Sequence, residues 1–329
     1  MPTEPSPITR RRLLQSTVGV LAVSATRCRR DEPAYPGREI RVIVHAAAGG
    51  MSDTVARYTA RGLNESFGIP VITENRVGAM GAVAFSTVRE AVPDGYTVGY
   101  APVEISVIPN LRYTDIRWQD FDLLARHHRA AAVVGVLASS PWHSLQDLIS
   151  AMRRTGVRRL ALGTAGPASV WHLGGLSFAR QVGASFIYVP FPGSAPSVTA
   201  LLGGHTDVVI AGLPELQAVV RGGDVRMLGL MSDVRSAAFP NVPTCREQGV
   251  DLIFEAWGGF MVPNGVPADR RALLADNILK AFDAAPFREY CRVSGLDVQV
   301  LGPEAFTQFV DAESTRFAKI VRTEGLVTE

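Results

Sequence analysis

A short run of small residues between a candidate strand and a candidate helix is the part of the sequence best suited to bind a ligand. Residues 46–53 read Ala-Ala-Ala-Gly-Gly-Met-Ser-Asp and follow a β-branched stretch at residues 40–44. Such a turn leaves backbone N–H groups accessible, and the following helix dipole favours an anion by about 0.3–1 kcal/mol. We expect one carboxylate of a small ligand to contact Ala46, Ala47, Ala48, Gly49, Gly50, Ser52 and Asp53.

The same turn is also compatible with a plain strand-to-helix connection. Its spacing does not fit the dinucleotide fingerprint G-x-G-x-x-G, and it lacks the lysine that a P-loop has before its serine, so nucleotide binding is unsupported. Ser52, and Ser194 further on, are predicted to cap helix N-termini. Asp53 could orient water or a ligand amine, or could simply offset the helix dipole as a first-turn acid.

Two later stretches repeat this combination of small residues, hydroxyl groups and a helix start. Residues 163–169 follow a candidate strand at 159–162, and residues 190–196 follow another at 185–189. Open α/β sheets bind ligands beyond the carboxyl ends of their strands, so these turns could face the first one across a cleft. We expect the facing half of the site to contain Thr164, Ala165, Ser169, His172, Phe191, Pro192, Gly193 and Asp207.

Several of the polar and aromatic residues have plainer explanations. His172 lies in the first turn of the predicted helix and could be a packed structural histidine. Asp207 could be a turn residue, and Trp257 could be a core aromatic residue rather than part of the cleft. The adjacent His127 and His128 are flanked by arginines and are predicted to form an exposed surface pair.

Strand-like and helix-length segments alternate along the chain, which predicts an α/β fold of parallel-rich sheets covered by helices on both faces. Two apolar runs, at residues 130–137 and 254–262, bracket a self-contained segment of the same kind. Two strands that cross a hinge would give this pattern. We predict domain 1 at residues 38–134 plus 259–329, an inserted domain 2 at residues 135–258, and closure of the cleft by a hinge.

The composition gives no reason to expect nucleic acid or an anionic membrane as a partner. The chain has 329 residues, 47% of them hydrophobic, and a formal net charge of only +2. Residues 1–25 contain three arginines and one glutamate, so they account for that charge and leave the remainder neutral. A neutral body lacks the basic surface that nucleic-acid-binding proteins present.

Residues 1–25 contain the regions of a secretory signal peptide in their usual order. They contain a twin-arginine-like Thr9-Arg10-Arg11-Arg12, an apolar stretch and a small-residue cleavage site that ends at Ala25. An amphipathic helix that stays attached is the alternative. We expect export to the periplasm, with a linker at residues 26–37. Cys28 follows an arginine, which argues against a lipid anchor at that cysteine.

Motifs for metal, cofactor or hydrolytic chemistry are missing from the sequence. There is no CxxC or HExxH spacing, and Cys245 and Cys291 could either pair in an oxidising compartment or stay free. The nearest approach to a nucleophile elbow, residues 175–179, falls inside a predicted helix rather than on a strand-to-helix turn. We therefore predict that the protein is not an enzyme and needs no cofactor, with a secreted hydrolase as the alternative.

Several short motifs, taken in their order and spacing, resemble the Bug-type periplasmic solute receptors of tripartite tricarboxylate transporters, the TctC-like family. The resemblance runs from about Tyr35 to Glu329. The matching pieces are Tyr35-Pro36, Ala47-Ala48-Gly49-Gly50 with Asp53, Glu74-Asn75-Arg76 with Gly78-Ala79 and Gly81, Pro93-Asp94-Gly95-Tyr96-Thr97, Gly163 through His172-Leu173, Pro190 to Gly193, Leu202-Gly203-Gly204, Pro240 to Thr244, and Trp257-Gly258-Gly259.

The resemblance implies a two-domain α/β clamp similar to type II periplasmic binding proteins. It implies a small carboxylate or dicarboxylate as ligand, held by backbone groups and waters rather than by an arginine clamp. It also implies integral-membrane transporter subunits as partners, and we expect a monomer. A clamp that reports to a membrane sensor is an alternative that the sequence does not separate from a transporter receptor.

The chain departs from the family pattern at positions that bear on the ligand. His45 and Ala46 stand where the family usually has proline and an aromatic residue, and Phe191-Pro192-Gly193 stands where Tyr-Lys-Gly is common. Thr164 and Ala168 replace a common serine and glycine. These departures argue against a typical amino-acid ligand.

Overall fold

Strands and helices alternate from residue 40 onward. The computed structural model describes residues 35–112, 114–154 and 158–326, and the elements below lie in the unit that begins at Arg38. The strands are β1 (Ile40–Val44), β2 (Val71–Asn75), β3 (Thr97–Pro102), β4 (Phe121–Leu137), β5 (Ala161–Thr164), β6 (Ile187–Pro190), β7 (Val208–Gly212), β8 (Val225–Leu230), β9 (Glu255–Pro263) and β10 (Asp297–Leu301). The α-helices are α1 (Met51–Phe67), α2 (Ala82–Arg89), α3 (Glu104–Leu111), α4 (Leu145–Arg153), α5 (Val170–Gln181), α6 (Ser194–Leu202), α7 (Leu213–Arg221), α8 (Ala268–Phe282), α9 (Ala285–Ser294) and α10 (Pro303–Thr323). The predicted signal peptide and Cys28 lie outside the described residues.

The strands form a mixed sheet with the order β2-β1-β3-β9-β4-β7-β5-β6, and β8 and β10 also pair with β4. β1 runs parallel to β2 and β3, and β5 runs parallel to β6 and β7. β4 and β9 run antiparallel to each other and to their other neighbours. The predicted α/β class is confirmed, and its parallel strands form the two outer ladders, whereas the strands that connect these ladders are antiparallel.

Strand β4 is long enough to belong to two sections of the sheet. Its residues 121–131 pair with β9, and its residues 132–137 pair with β7 and β8. On the return path, Phe254 donates its amide hydrogen to the Met231 carbonyl, and β9 begins at the next residue. The change of partner therefore falls at residues 131/132 and 254/255, a few residues before the domain boundaries that the apolar runs predicted.

Helix α1 shows how the sequence sets an element that carries the candidate site. Val55, Ala56 and Leu63 recur at helical spacing and are fully buried, and Gly68 ends the helix in the left-handed region with φ 66°. Ser52, however, is the second helical residue. The N-cap is Gly50, so the prediction that Ser52 caps α1 was wrong. The prediction for Ser194 was wrong in the same way, because the N-cap of α6 is the preceding glycine.

Apolar side chains from both sections of the sheet form one continuous core. Phe85, Phe178, Phe254, Phe306 and Phe317 belong to it, and each is completely buried. Burial of an aromatic side chain of this size contributes about 1.5–3 kcal/mol to stability. None of the helices in the described part of the chain is long and apolar enough to cross a membrane.

His127 and His128 are completely buried, so the prediction of an exposed surface pair was wrong. The register of β4 against β9 shifts between Arg126 and His128, and this irregularity lets two consecutive side chains point inward. Their Nδ1 atoms lie 2.5 Å apart. Burial lowers the pKa of His128 to about 3 and lowers that of His127 as well, so both rings are neutral at pH 7.

The two described cysteines, Cys245 and Cys291, are free thiols and both are buried. Burial raises the pKa of each thiol to about 12, which keeps them protonated and unreactive at neutral pH.

Trp257 is a core residue, as the plainer of its two interpretations predicted. It is 3% exposed and its indole N–H donates to Glu313 at 3.1 Å.

Candidate functional site

The turn between β1 and α1 lies at the carboxyl end of β1, as predicted. Residues 47–50 are exposed. Gly50 is the N-cap of α1, and no described side chain caps this helix end. The Gly50 amide donates to the Ala47 carbonyl at 3.2 Å, and Gly49 has a positive φ of 84°, a conformation that glycine adopts without strain. Because the first amides of a helix have no intrahelical acceptor, this exposed N-terminus can donate to an anion.

Asp53 holds this turn in place. Its side chain is 2% exposed and accepts hydrogen bonds from the Gly49 amide at 2.8 Å, from Arg57 at 2.9 Å and from Asn75 at 2.8 Å. Asn75 also donates to the Ala46 carbonyl at 2.8 Å, which joins the turn to β2. Since protein groups already occupy both carboxylate oxygens, the geometry favours a structural role for Asp53 over direct contact with a ligand.

Replacement of Asp53 by asparagine is expected to lower the free energy of unfolding by about 1–3 kcal/mol, because charge-assisted hydrogen bonds to a buried group are lost. Burial alone would raise the pKa of Asp53, but the bonds from Arg57, Gly49 and Asn75 lower it below 3.8. The contribution is therefore present above pH 3.8 and is lost as the pH falls further. Urea denaturation at pH 7 measures the effect.

The matched control is Glu289→Gln, which removes one partner of an exposed ion pair with Arg292 on α9. Exposed pairs of this kind contribute little, so its denaturation midpoint should stay unchanged. If Asp53→Asn destabilised the protein no more than the control does, Asp53 would not hold the turn.

The turn between β5 and α5 is built from its own hydroxyl and imidazole groups. Ser169 caps α5 by accepting from the His172 amide at 3.3 Å, and it donates to the Gly166 carbonyl at 2.8 Å. His172 Nδ1 accepts from the Ala168 amide at 2.9 Å. Ser169 and His172 therefore shape the turn, and the packed interpretation of His172 agrees with these contacts.

Thr164 and Ala165 lie next to the turn between β6 and α6. The Phe191 amide donates to the Thr164 carbonyl at 2.9 Å, which brings the two turns together at one edge of the sheet. Gly193, with φ 140°, is the N-cap of α6, and no cap from the described side chains satisfies that helix end. Pro192, between Phe191 and Gly193, is exposed. The β6–α6 turn thus offers a second free helix N-terminus.

Asp207 does not lie with these turns. It precedes β7 and accepts from the Ala161 amide at 2.7 Å, at the first residue of β5, and from Arg158 at 2.8 Å. The candidate turns follow the last residues of β5 and β6, about 13 Å away along these four-residue strands. Asp207 therefore pins the opposite edge of the sheet, and we leave it out of the site.

Two glutamates that the sequence interpretation missed lie at the edge where the turns are. Glu104 is the first residue of α3, just after β3, and Glu215 is the third residue of α7, just after β7. The pKa of Glu104 is raised to about 7, mainly by burial and in smaller part by the nearby charge of Glu215. Burial raises the pKa of Glu215 to about 7 as well, against opposing hydrogen bonds from groups that include Trp171 and Ser194.

These two carboxyl groups connect the two sets of turns. Trp171 belongs to the first turn of α5 and Ser194 begins α6. Glu215 therefore lies beside the β5–α5 and β6–α6 turns. The charge of Glu215 also acts on Tyr290 of α9, which is hydrogen-bonded to Thr54 in the first turn of α1. The N-termini of α1, α3, α5, α6 and α7 therefore converge on one region.

His45 lies between the first turn and Glu104. Its ring stacks on Phe85 and Tyr100, with ring centroids 6.3 and 5.9 Å apart, and its Nε2 lies 3.9 Å from Glu104 Oε2. Burial lowers the pKa of His45 to about 4, so the ring is neutral at pH 7 and the contact with Glu104 is not an ion pair. The sequence interpretation noted His45 only as a departure from a family pattern.

The described residues give little support for a metal site or a hydrolase active site. Within residues 35–112, 114–154 and 158–326, no three His, Cys, Asp or Glu side chains are grouped so that they could hold a metal ion. Ser177, the serine of the nearest G-x-S-x-G approach, lies inside α5 rather than on a strand-to-helix turn. Two cavities, of about 190 and 420 Å³, lie away from the turns, and both include Arg129 and Glu255 in their walls.

Comparison with known proteins gives a consistent picture. A family model described as the tripartite tricarboxylate transporter family receptor, TctC, matches residues 55–326. Protein BugT of Bordetella pertussis is 32% identical over 306 residues, which cover 88% of this chain and 90% of BugT. An R. palustris protein solved with adipate is 27% identical, with a TM-score of 0.81 and coverage of 88% of this chain and 98% of that one. The periplasmic binding protein BugD is 24% identical, with a TM-score of 0.79 and coverage of 90% and 100%, a likeness of fold.

Proposed function

Because this chain belongs to the TctC family of tripartite tricarboxylate transporter receptors, we propose that it is a periplasmic protein that captures a small carboxylate and delivers it to membrane transporter subunits. The chain is a solute-binding receptor with the fold of periplasmic binding proteins. The identity of the solute and the transfer to a transporter are the parts that we infer.

The observation that carries the proposal is the convergence of helix N-termini at one edge of the sheet. The N-cap residues of α1 and α6 are glycines, and no described side chain accepts a hydrogen bond as a cap at either N-terminus. Such ends donate backbone hydrogen bonds to anions without a positively charged side chain. The adipate found with the R. palustris relative supports a dicarboxylate of similar size as the ligand here.

The change of partner along β4 supports the two-lobe arrangement. We assign the lobes as residues 38–134 plus 259–329, and residues 135–258. Strands β4 and β9 each contribute to the connection between the sheet sections, so small torsional changes near residues 131/132 and 254/255 can move one lobe against the other. Closure around the ligand would bring Gly50 and Thr164 toward the same molecule.

We assign ligand contact to residues of the turns, of which Ser52 and Thr164 are buried in this structure. They are Ala46, Ala47, Ala48, Gly49, Gly50 and Ser52 on one side, and Thr164, Ala165, Phe191, Pro192 and Gly193 on the other. Asp53, Ser169 and His172 shape these turns through their own hydrogen bonds. We also propose export through the leader at residues 1–25 and a monomeric receptor.

A thermal-shift screen of the exported protein against mono-, di- and tricarboxylates tests the proposal. A ligand at 100 times its dissociation constant should add about 2.7 kcal/mol to the free energy of unfolding. We expect stabilisation by at least one acid of the size of adipate and none by the corresponding neutral diamide. Turnover of an ester or glycoside, with no stabilisation by any acid, would contradict a receptor function.

A further inference from the structure

A cavity of about 190 Å³ lies where β4 pairs with β9, and its wall contains none of the residues of the strand-to-helix turns. The charged residues of this wall are Arg126 and Arg129 of β4, Glu255 of β9, and Glu313 and Arg316 of α10. A cavity of this size holds several water molecules, or one small ion together with part of its hydration shell. The wall therefore presents three positive and two negative side chains to a space that a small ion can enter.

Arg126 is a buried charge without a close counter-ion. It is 5% exposed, and its guanidinium carbon lies 4.2 Å from the centroid of the Phe309 ring. It donates to the backbone carbonyl of Gln299 at 3.4 Å and to the side-chain oxygen of the same residue at 2.8 Å. Both of these acceptors are neutral. The acidic residues around Arg126 favour its charged form only from beyond ion-pair distance. A buried charge of this kind is costly unless it is paired.

The other two arginines of the wall are already paired. Arg316 donates to both carboxylate oxygens of Glu313, at 2.7 and 2.8 Å. Arg129 lies within ion-pair distance of three carboxylates, those of Asp233 at 3.0 Å, Glu255 at 3.4 Å and Asp297 at 2.5 Å. Each acid of the cavity wall is therefore engaged by Arg129 or Arg316. Within the described part of the chain, none is left to pair with Arg126.

Two guanidinium groups keep donors available in this cavity. Nη1 of Arg126 forms no hydrogen bond within the described part of the chain and is not fully buried, so it opens onto the cavity. Glu313 engages Nε and Nη2 of Arg316, which leaves Nη1 of that residue available as well. The planar guanidinium group presents its N–H donors as a fork that matches two oxygens of one oxyanion. The free donors thus favour an oxyanion as the missing counter-ion.

We propose that this cavity is a second binding site, separate from the strand-to-helix turns, and that it takes a small inorganic oxyanion such as sulfate or phosphate. The anion accepts hydrogen bonds from Arg126 and Arg316 and supplies the counter-charge that Arg126 lacks. Trp257 and Phe309 form apolar parts of the wall, and such surroundings strengthen the hydrogen bonds of charged groups. The site does not depend on the receptor function proposed above, because it uses none of the residues assigned to the solute.

Equilibrium dialysis of the exported protein against radiolabelled sulfate, at constant ionic strength, provides the test. We expect saturable binding of a single sulfate ion by each chain and displacement of that ion by unlabelled phosphate. Saturation matters because sulfate also stabilises proteins in general by being excluded from their surfaces, an effect that involves no site and does not saturate. The absence of saturable sulfate binding would overturn the proposal.

Arg126→Met removes the charge and keeps a side chain of similar length. The protein should stay folded, because replacing a buried charge by an apolar group is often neutral for stability. Sulfate affinity should fall at least about tenfold, since hydrogen bonds to a charged group are lost. Arg126→Lys keeps the charge without the planar fork, so its affinity should lie between those of the wild type and Arg126→Met.

Arg221→Met is the matched control. Arg221 also lies over an aromatic ring, with its guanidinium carbon 5.0 Å from the centroid of Phe239, and it is not part of the cavity wall. The substitution therefore removes the same charge from the protein at a different place. Sulfate affinity should be unchanged.

The exposed helix N-termini at the turns are the competing location for sulfate. Gly50→Val, which covers the start of α1, should therefore leave sulfate affinity unchanged if the anion occupies the cavity. Loss of sulfate binding in Gly50→Val with no effect of Arg126→Met would overturn the proposal and assign the anion to the turns. An equal loss in Arg126→Met and Arg221→Met would also overturn it, because the effect would then come from net charge alone.

Glu255 gives a second readout that does not require a change at Arg126. Burial raises the pKa of this carboxyl group to about 7, although the charge of Arg129 opposes the shift. The group is therefore neutral below that pH and negative above it. Because a negative Glu255 repels an anion in the cavity, sulfate affinity should fall by up to about tenfold between pH 6 and pH 8. Glu255→Gln should bind sulfate with an affinity that no longer depends on pH in this range.

The other titratable groups near the cavity do not account for such a dependence. They are the three wall arginines, the paired acids Asp233, Asp297 and Glu313, and the adjacent His127 and His128 of β4. Arginine side chains stay charged throughout this range. Burial lowers the pKa of both histidines well below it, so they stay neutral. Sulfate affinity that is the same at pH 6 and pH 8 in the wild type would contradict a site beside Glu255.

Discussion

A valine at Gly50 is expected to reduce affinity for the ligand by about a hundredfold, or about 2.8 kcal/mol, while the protein stays folded. Gly50 is the N-cap of α1 and has φ −71° and ψ 167°, a conformation that any residue can adopt. A Cβ there would lie 3.3 Å from the Ala47 carbonyl oxygen, a tight contact that small movements relieve. The branched side chain would cover the free amides at the start of the helix, and calorimetric titration measures the loss.

Gly302→Val is a closely matched control. Gly302 is the N-cap of α10, with φ −73° and ψ 178°, and a Cβ there would meet no atom within 4 Å. The substitution therefore repeats the same change in helix-cap chemistry away from the proposed site. It should leave affinity unchanged and shift the melting temperature about as much as Gly50→Val does. Retained affinity in Gly50→Val would count against ligand contact at this turn.

Gly259→Ala is expected to lower the free energy of unfolding by about 3 kcal/mol, at the upper end of overpacking effects. Gly259 lies in β9, and a Cβ would overlap the Ala125 carbonyl oxygen of β4 and approach Phe306 Cε1 of α10 at 2.6 Å. A carbonyl oxygen in a sheet cannot turn aside as a flexible side chain can. Urea denaturation of the wild type and the variant gives the difference.

Gly163→Ala is the control for a glycine within a strand. A Cβ at Gly163 would make ordinary contacts at 3.4 Å with Ser197 and Thr206. This change should cost much less stability than Gly259→Ala. If the two variants were destabilised equally, the close approach of β9 to β4 and α10 would not be the cause.

The elements that the sequence predicted best are those with strong local signals. β1 is a β-branched run, and α1 and α10 have apolar residues at helical spacing with glycines beyond their ends. The α/β class and the positions of the three glycine-containing turns follow from these signals.

The missed parts of the site depend on tertiary structure. The segment that forms α3 is rich in β-branched residues and contains Pro109, so its sequence gives only a weak helix signal. α7 was not assigned, because its short apolar pattern follows directly on β7. Glu104 and Glu215 begin these two helices, and their closeness depends on the order of strands in the sheet, for which no local pattern exists.

Two other errors have the same kind of origin. Alternation along a strand places His127 and His128 on opposite faces, whereas the shift of register in β4 turns both side chains inward. Asp207 was included in the facing half of the site, but the sequence does not show which end of β7 faces the turns. In both cases, the pairing of distant strands decided the result.

The pairing of β9 with β3 and β4 has a consequence for how the chain folds. Tyr100 pairs with Phe260, and Arg129 pairs with Asp297 of β10, so the first part of the sheet is completed by segments from the last quarter of the chain. Bringing such distant segments together costs loop-closure entropy, and proteins rich in these contacts fold slowly. A nascent chain that ends before β9 would leave β3 and β4 without their partners. Productive folding of this protein must therefore follow the synthesis of nearly the entire chain.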